Sequence, residues 1–365
     1  MSLSRGGRGN QGVVAGGAPV VVGMLLALGP QWALAQLPRL TEQGSGVTVT
    51  LQAVSPVNES VVWVGGHRGA LLRTVDGGRT WARLGAPGGD SLEFRDVYGV
   101  SRDSAYVLSA GPGARSRIYQ TVDGGVTWRL QFLNRDSSAF YDCFDFWDAA
   151  HGMALSDAVD GRLVVITTAD AGATWVPLPR EAVPQAEPGE GGFAASGTCL
   201  VTARPGYVWI TTGSQGLGKV YRSADRGRHW SVVVLPLTPG SQTAGAMTLA
   251  FRDSLQGEAL GGDLGAPDAH RDNVARTDDG GRTWTPGGRP PFAGAVFGSS
   301  YLPGSPALVA VGPGGAAISG DDGRSWTALS TQGYWAVGAA GRCGWMVGPG
   351  GRITRLDLSE GRPPD

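Results

Sequence analysis

An eight-residue pattern, Ser/Thr-x-Asp-x-Gly-x-x-Trp, occurs six times in this chain of 365 residues. The copies run Thr74 to Trp81, Thr121 to Trp128, Thr168 to Trp175, Ser223 to Trp230, Thr277 to Trp284 and Ser319 to Trp326, so successive tryptophans stand 47, 47, 55, 54 and 42 residues apart. Repeats of this length, each holding several short strands, stack into a ring of four-stranded blades. The expected fold is therefore all-β: a β-propeller with antiparallel blades. The repeat is a folding device, and propellers host many unrelated activities.

The chemistry of the pattern is local. Thr/Ser and Asp side chains bond nearby backbone amides, and Gly supplies a positive φ, which together close a tight hairpin. The Trp is expected to bury its ring against the blade with its indole N–H free to find a partner. Asp76, Asp123, Asp170, Asp225, Asp279 and Asp321, with Trp81, Trp128, Trp175, Trp230, Trp284 and Trp326, are thus assigned structural rather than catalytic roles.

Short β-branched or aromatic runs bounded by Gly or Asp supply the other strands. In blade three these are residues 141–148, 151–156, 162–168 and 174–178; in blade one they are 47–54, 61–64, 71–75 and 81–84. Trp63, Trp209 and Trp345 fall at an equivalent place in the second strand, which points to aromatic packing between blades. Blade seven has three strands, at 334–339, 344–347 and 353–358, and no box. That leaves an open edge, and the segment Leu37–Thr41 is positioned to supply the missing outer strand. Seven blades closed by an N-terminal strand is the reading; six or eight are the alternatives.

The N-terminus reads separately. Arg5 and Arg8 precede the apolar run Val20–Leu28, and Ala33-Leu34-Ala35 then meets Gln36. A basic start, a short apolar core and a small-x-small end make a Sec-type secretory signal over residues 1–35. The expected location is periplasmic or secreted, with no membrane span once the signal is removed. Residues 36–358 would form the propeller and 359–365 a short tail. In an oxidising compartment the odd count of three cysteines leaves at least one free. A Cys143–Cys199 bridge is open, but the favoured reading treats all three as small buried hydrophobes.

A net charge of −1 argues against a nucleic-acid binder that relies on a basic surface. The 61 glycines and 17% charged residues fit one compact, loop-rich body, expected to be a monomer.

The repeated hairpin resembles the Asp-box, or bacterial neuraminidase repeat, of sialidases, sortilin-type receptors and the photosystem II stability/assembly factor propellers. Further stretches, Phe146–Asp157, Gly192–Leu200 and Phe251–Asp263, are similar to one bacterial branch of the photosystem II assembly-factor-like propellers. The resemblance implies boxes on the rim, away from any ligand site. For the photosynthetic members it implies a lumenal, non-enzymatic protein that helps assemble a membrane complex.

Catalytic constellations are poorly supported. A sialidase needs a Tyr/Glu nucleophile pair, an Asp and an arginine clamp; Phe94-Arg95-Asp96 only echoes its early motif, and repeat alignment sets Arg95 against Tyr141 and Arg252 against Trp147. Gly312-Pro-Gly314-Gly-Ala-Ala317 fits a loose phosphate-loop pattern but opens a strand rather than a helix, so it is a turn. Four histidines without ligand spacing point to no metal, and no cofactor is expected. What remains is the face formed by the second-to-third-strand turns and the connections between blades, where propeller function resides on loops. Arg68, Arg135, Asp157, Asp263, His270 and Arg271 are the candidate binding residues there. The expected function is an exported, non-catalytic propeller that binds a protein partner; the alternative is a glycoside-binding or glycoside-hydrolysing one.

Overall fold

The computed structural model describes residues 36–358. The expected signal segment 1–35 and the expected tail 359–365 lie outside the described residues. Seven four-stranded antiparallel sheets succeed one another along the chain. Six are built from consecutive strands, here named a to d from the inner to the outer edge. The seventh joins Ala336–Ala340, Cys343–Val347 and Ile353–Asp357 to the N-terminal strand Arg39–Gln43, which pairs antiparallel with Ile353–Asp357 from Arg39↔Asp357 to Gln43↔Ile353. The chain thus closes its ring with a strand from its beginning, shifted two residues from the sequence expectation of 37–41.

The b strands are buried on both faces over most of their length because each blade is covered by its two neighbours. Val62–Gly66, Ala105–Ser109, Leu308–Gly312 and Cys343–Val347 are buried at every position. This explains their continuous apolar runs where a one-sided sheet would alternate. Outer strands are the reverse: Ala82–Arg83, Val176–Pro177 and Thr285–Pro286 have two residues each, all exposed. Short outer strands limit the backbone available to a foreign strand.

Strand limits differ locally from the sequence reading. In blade three, strand a is Tyr141–Phe146 and strand b is Gly152–Val159, so Asp157 lies on a strand rather than in the following turn. Blade one begins at Leu51, with 44–50 serving as the connection from the closing strand. Strand a carries a bulge in four blades, between Leu51/Ala53, Phe94/Asp96, Tyr141/Cys143 and Ala246/Thr248. The extra residues are Gln52, Arg95, Asp142 and Met247. Arg95 is therefore equivalent to Asp142, one position beyond the alignment expected from sequence.

Two packing details correct the sequence reading. Cys143 and Cys199 are joined in a disulfide across blades three and four, and only Cys343 is a free buried thiol. Their strands start side by side in adjacent blades, a proximity that sequence distance conceals. The box tryptophans are half-buried rather than enclosed; the fully buried ones are Trp63, Trp209 and Trp345 of the b strands. A box tryptophan lies on the rim at the start of strand d and leans on the preceding blade: Trp128 meets Trp63 edge-on at 6.4 Å, and Trp81 and Trp284 join the clusters around Trp345 and Trp209. The indole N–H of Trp81 finds Gln43 and that of Trp230 finds the Gly227 carbonyl, whereas Trp128, Trp175, Trp284 and Trp326 have no acceptor among the described residues.

Candidate binding face and channel mouth

Hydrogen bonds sort the loops into two faces. Each b–c turn is tied to the connection leaving its own blade, as in Gly69 N–H to Leu92 O (2.8 Å), Ala186 N–H to Gly161 O (2.9 Å) and Gly294 N–H to Ala269 O (2.9 Å). The repeat hairpins are tied instead to the a–b turns, as in Gly77 N–H to Ser60 O (2.9 Å) and Gly280 N–H to Leu255 O (2.8 Å).

On the hairpin face, one scheme recurs six times. In the first copy Thr74 Oγ1 donates to Asp76 Oδ1 (2.8 Å) and accepts from Gly78 N–H (2.8 Å). The N–H and hydroxyl of Thr80 donate to the two Asp76 oxygens at 2.9 and 2.6 Å. Asp76 is held down to about 2, first by the Thr80 hydroxyl and amide. His229 substitutes for this Thr and places Nδ1 2.6 Å from Asp225 Oδ2. These carboxylates are occupied by their own hairpins.

The loop face holds the groups that sequence could only nominate. The segment 193–198 crosses the channel mouth and is anchored from three other blades. Gln52 Nε2 donates to Ala194 O (2.7 Å), Ser196 Oγ donates to Phe297 O (2.7 Å), and Gly197 sits over the buried Asp96. A Cβ at Gly197 would come within 2.3 Å of Asp96 Oδ1, and its φ of +80° is one that side chains rarely adopt, so this crossing requires glycine. Burial drives the Asp96 carboxyl well above its usual range, against the pull of the Phe144 N–H that donates to it. Gln52 Oε1 also meets His67 Nε2 at 2.5 Å. Burial lowers the His67 pKa, and its ring stands edge-on to Trp335.

The candidate residues do not form one cluster. Arg68 is exposed and lines a notch of about 260 Å³ with Arg95, Arg115, Glu93, Asp90 and Phe140. Arg95 clamps Glu93 through Nε (3.0 Å) and Nη2 (2.5 Å), while the guanidinium groups of Arg68 and Arg115 carry no hydrogen bond or ion pair among the described residues. Asp157 lines a different cavity, and its carboxyl contacts that of Asp142. Asp263 is a structural node: it accepts from Ser241 N–H (2.8 Å), Ser241 Oγ (2.6 Å) and Gly265 N–H (2.9 Å). Arg271, a candidate binding residue, pairs with Asp263 at 3.7 Å and donates to Pro239 O, so its own loop already uses it. Arg135 and His270 are exposed on the same face, outside the notch.

The sequence did not nominate Arg95, Arg115, Asp142 or Glu190 as binding residues. Arg115 had a readable signal, since it ends the b–c turn that starts at Gly111. Arg95 and Asp142 did not, because only the bulges aim them at the mouth. Glu190 is buried and accepts from Thr212 Oγ1, Lys219 Nζ and Tyr221 Oη, each at 2.7 Å. Burial pushes its pKa up, but Lys219 and the other donors bring it below the usual value.

No protein-family model matches the chain, and the search of curated proteins finds no relative. Solved structures do resemble it. YCF48 bound to a D1 peptide superposes with a TM-score of 0.60 at 14% identity, covering 89% of this chain and 98% of that one. YCF48 from Cyanidioschyzon merolae gives 0.61 at 15%, covering 87% and 98%. The extracellular domain of the putative one-component system BT4673 from B. thetaiotaomicron gives 0.58 at 11%, covering 87% of this chain and 40% of that one. At such identities the likeness is one of fold. The chain is a seven-bladed propeller of four-stranded blades.

Proposed function

We propose that this chain is an exported, non-catalytic propeller that binds a protein partner through its loop face, with the arginine notch taking a carboxylate-bearing segment. Assembly or stabilisation of a membrane complex is the role this reading fits best. The observation that carries it is the convergence of three arginines on one cavity. Arg68 and Arg115 converge with Arg95 on one cavity with no side-chain hydrogen bond or ion pair of their own among the described residues, Arg115 acting on Glu93 only through its charge, whereas Arg282 and Arg324 on the hairpin face donate to their own box carbonyls. Arginine favours carboxylate recognition because its planar fork matches two oxygens at once. The similar fold of YCF48, a protein solved with a D1 peptide bound, supports a peptide-binding propeller.

The carboxyl pair on this face, Asp142 with Asp157, gives the glycoside alternative no support. The two are in direct contact and Asp142 is buried, whereas glycosidases hold two carboxyls at least about 5 Å apart around an open site.

The test begins with crosslinking capture and mass spectrometry, followed by binding of the identified partner to two purified variants. Arg68→Ala/Arg115→Ala should lose most binding and most of its salt dependence, because screened charge pairs are removed. Arg79→Ala/Arg282→Ala/Arg324→Ala on the hairpin face should bind as the unmodified protein does. Equal loss in both sinks the reading. Export is read separately: N-terminal sequencing of protein recovered from the periplasm should begin at or near Gln36, and an intact N-terminus in the cytoplasm would refute it.

A further inference from the structure

The loop face carries a second cavity of opposite character, about 360 Å³ in volume, between blades three, four and five. Its wall includes Asp157, Glu190, Phe193 and Leu264, and its floor is the backbone of Gly191, Gly192 and Gly213. Leu264 is half exposed to water and Phe193 partly so, which leaves apolar surface beside a carboxylate. Behind the glycine floor lies Asp142. A Cβ at Gly192 would stand 3.0 Å from Asp142 Oδ2, and one at Gly191 would stand 1.9 Å from Asp157 Oδ1, so the bare glycine backbone lies directly against this pair. Asp142 is 2% exposed and its Oδ2 has no donor among the described residues. A buried acceptor left without a donor is costly, and a proton held between the two carboxyls satisfies it, which leaves Asp157 as the carboxylate that lines the cavity.

We propose that this cavity binds an aliphatic primary ammonium, such as the end of a lysine side chain, with Asp157 as its counter-charge and Phe193 and Leu264 against its methylenes. That the lysine belongs to a protein rests on the loop-face reading above; the cation site itself does not. The neighbouring charges are already committed. Arg95, which acts on Asp142 from blade two, is clamped by Glu93, and Glu190 is held by Lys219, the chain's single lysine. Asp157 is the carboxylate left to face a guest. An ammonium on a methylene stem suits the site because the stem lies on apolar surface while the charge stays at the polar end, and an aromatic face attracts it further.

The pair also sets the pH response. Burial, then the charge of Asp157, drives Asp142 far above its usual range, so Asp142 keeps its proton and donates it to Asp157. Burial pushes Asp157 up to about 6, against hydrogen bonds from Asp142 and the Gly192 amide that pull it down. Below that pH a proton on Asp157 competes with the guest.

The test is a titration of the whole mature protein with n-butylammonium, read on the carboxyl carbon resonance of Asp157, with n-butanol and butyrate as neutral and anionic controls. A saturable shift with the amine alone is expected, with affinity falling about tenfold from pH 7.5 to pH 5.0 as the competing proton binds. Asp157→Asn, followed on the Leu264 methyl and Phe193 ring resonances that also shift in the unmodified protein, should abolish it with an unchanged melting temperature. If that variant fails to fold, the pH profile of the unmodified protein decides. Arg68→Ala/Arg115→Ala should retain it in full, so loss of partner binding there and loss of the amine site are separate results. No saturable shift at pH 7.5, an equal shift with n-butanol, or a pH-independent affinity overturns the proposal.

Discussion

Arg355 in the last blade donates through Nη1 to the carbonyl of Gly77 in the first repeat hairpin, 2.9 Å away across 278 positions of sequence. The same side chain lies over the Trp345 ring and pairs with Asp357 at 2.9 Å. The device recurs around the ring. Arg222 donates to Gly280 O (2.7 Å) and Arg276 to Asp322 O, each from strand c to the hairpin of the next blade. The hairpins therefore serve as acceptors that lock neighbouring blades, and Arg355 does this at the seam.

Replacing Arg355 with Ala should destabilise the fold by about 1–3 kcal/mol, the range for a charge-assisted bond that leaves a carbonyl unpaired. Arg355→Lys should recover only part of it, because a single ammonium cannot reach Gly77, Asp357 and the indole face together. Urea denaturation of both variants is the measurement. An unchanged midpoint for Arg355→Ala would mean that the N-terminal strand closes the ring without it.

Trp128 and Trp63 touch, yet their truncations should differ. Trp63→Ala removes a fully buried ring and should cost about 3–5 kcal/mol; Trp128→Ala removes a half-buried one and should cost less, about 2–3 kcal/mol. The double variant should fall short of the sum, since the rings are in contact. Additive losses would show that the edge-on contact contributes nothing.

Reducing the Cys143–Cys199 disulfide should lower stability by about 2–4 kcal/mol, because a bridge closing a long segment restricts the unfolded chain. Scanning calorimetry with and without reductant reads this directly. Cys343→Ala should leave the reductant effect intact, and a single free thiol in the native protein is the accompanying count.

Glu258 supplies a pH signature. Burial raises its pKa to about 8, although Tyr301, whose hydroxyl donates to it, pulls the other way. Between the ordinary carboxyl value and about 8 the folded protein holds a proton that the unfolded chain has lost, so this group makes stability fall as pH rises through that window. Glu258→Gln should therefore flatten the decline in melting temperature between pH 5 and pH 8.5. A decline of the same slope in the variant would place the titration elsewhere.

What the sequence legibly encodes is what a few neighbouring residues settle among themselves. The Asp76, Gly78 and Thr80 contacts lie within one hairpin, so six copies announce six hairpins, and their spacing announces the blades between them. The unpaired edge of blade seven was equally readable, because a three-strand remainder needs a fourth strand and a spare segment just before blade one stood at residues 37–41, near the observed Arg39–Gln43. Other features depend on which blade lies beside which. The Cys143–Cys199 bridge and the half-burial of Trp128 follow from blade-to-blade geometry, and so does the use of Arg271 by Asp263. The binding face was decided at that level as well. Bulges of a single residue turn Gln52, Arg95 and Asp142 toward the mouth, and a one-residue register change reverses where a strand side chain points. Local hairpin chemistry survives in any context and can be read along the chain, whereas charge placement at the mouth exists only once seven blades have closed.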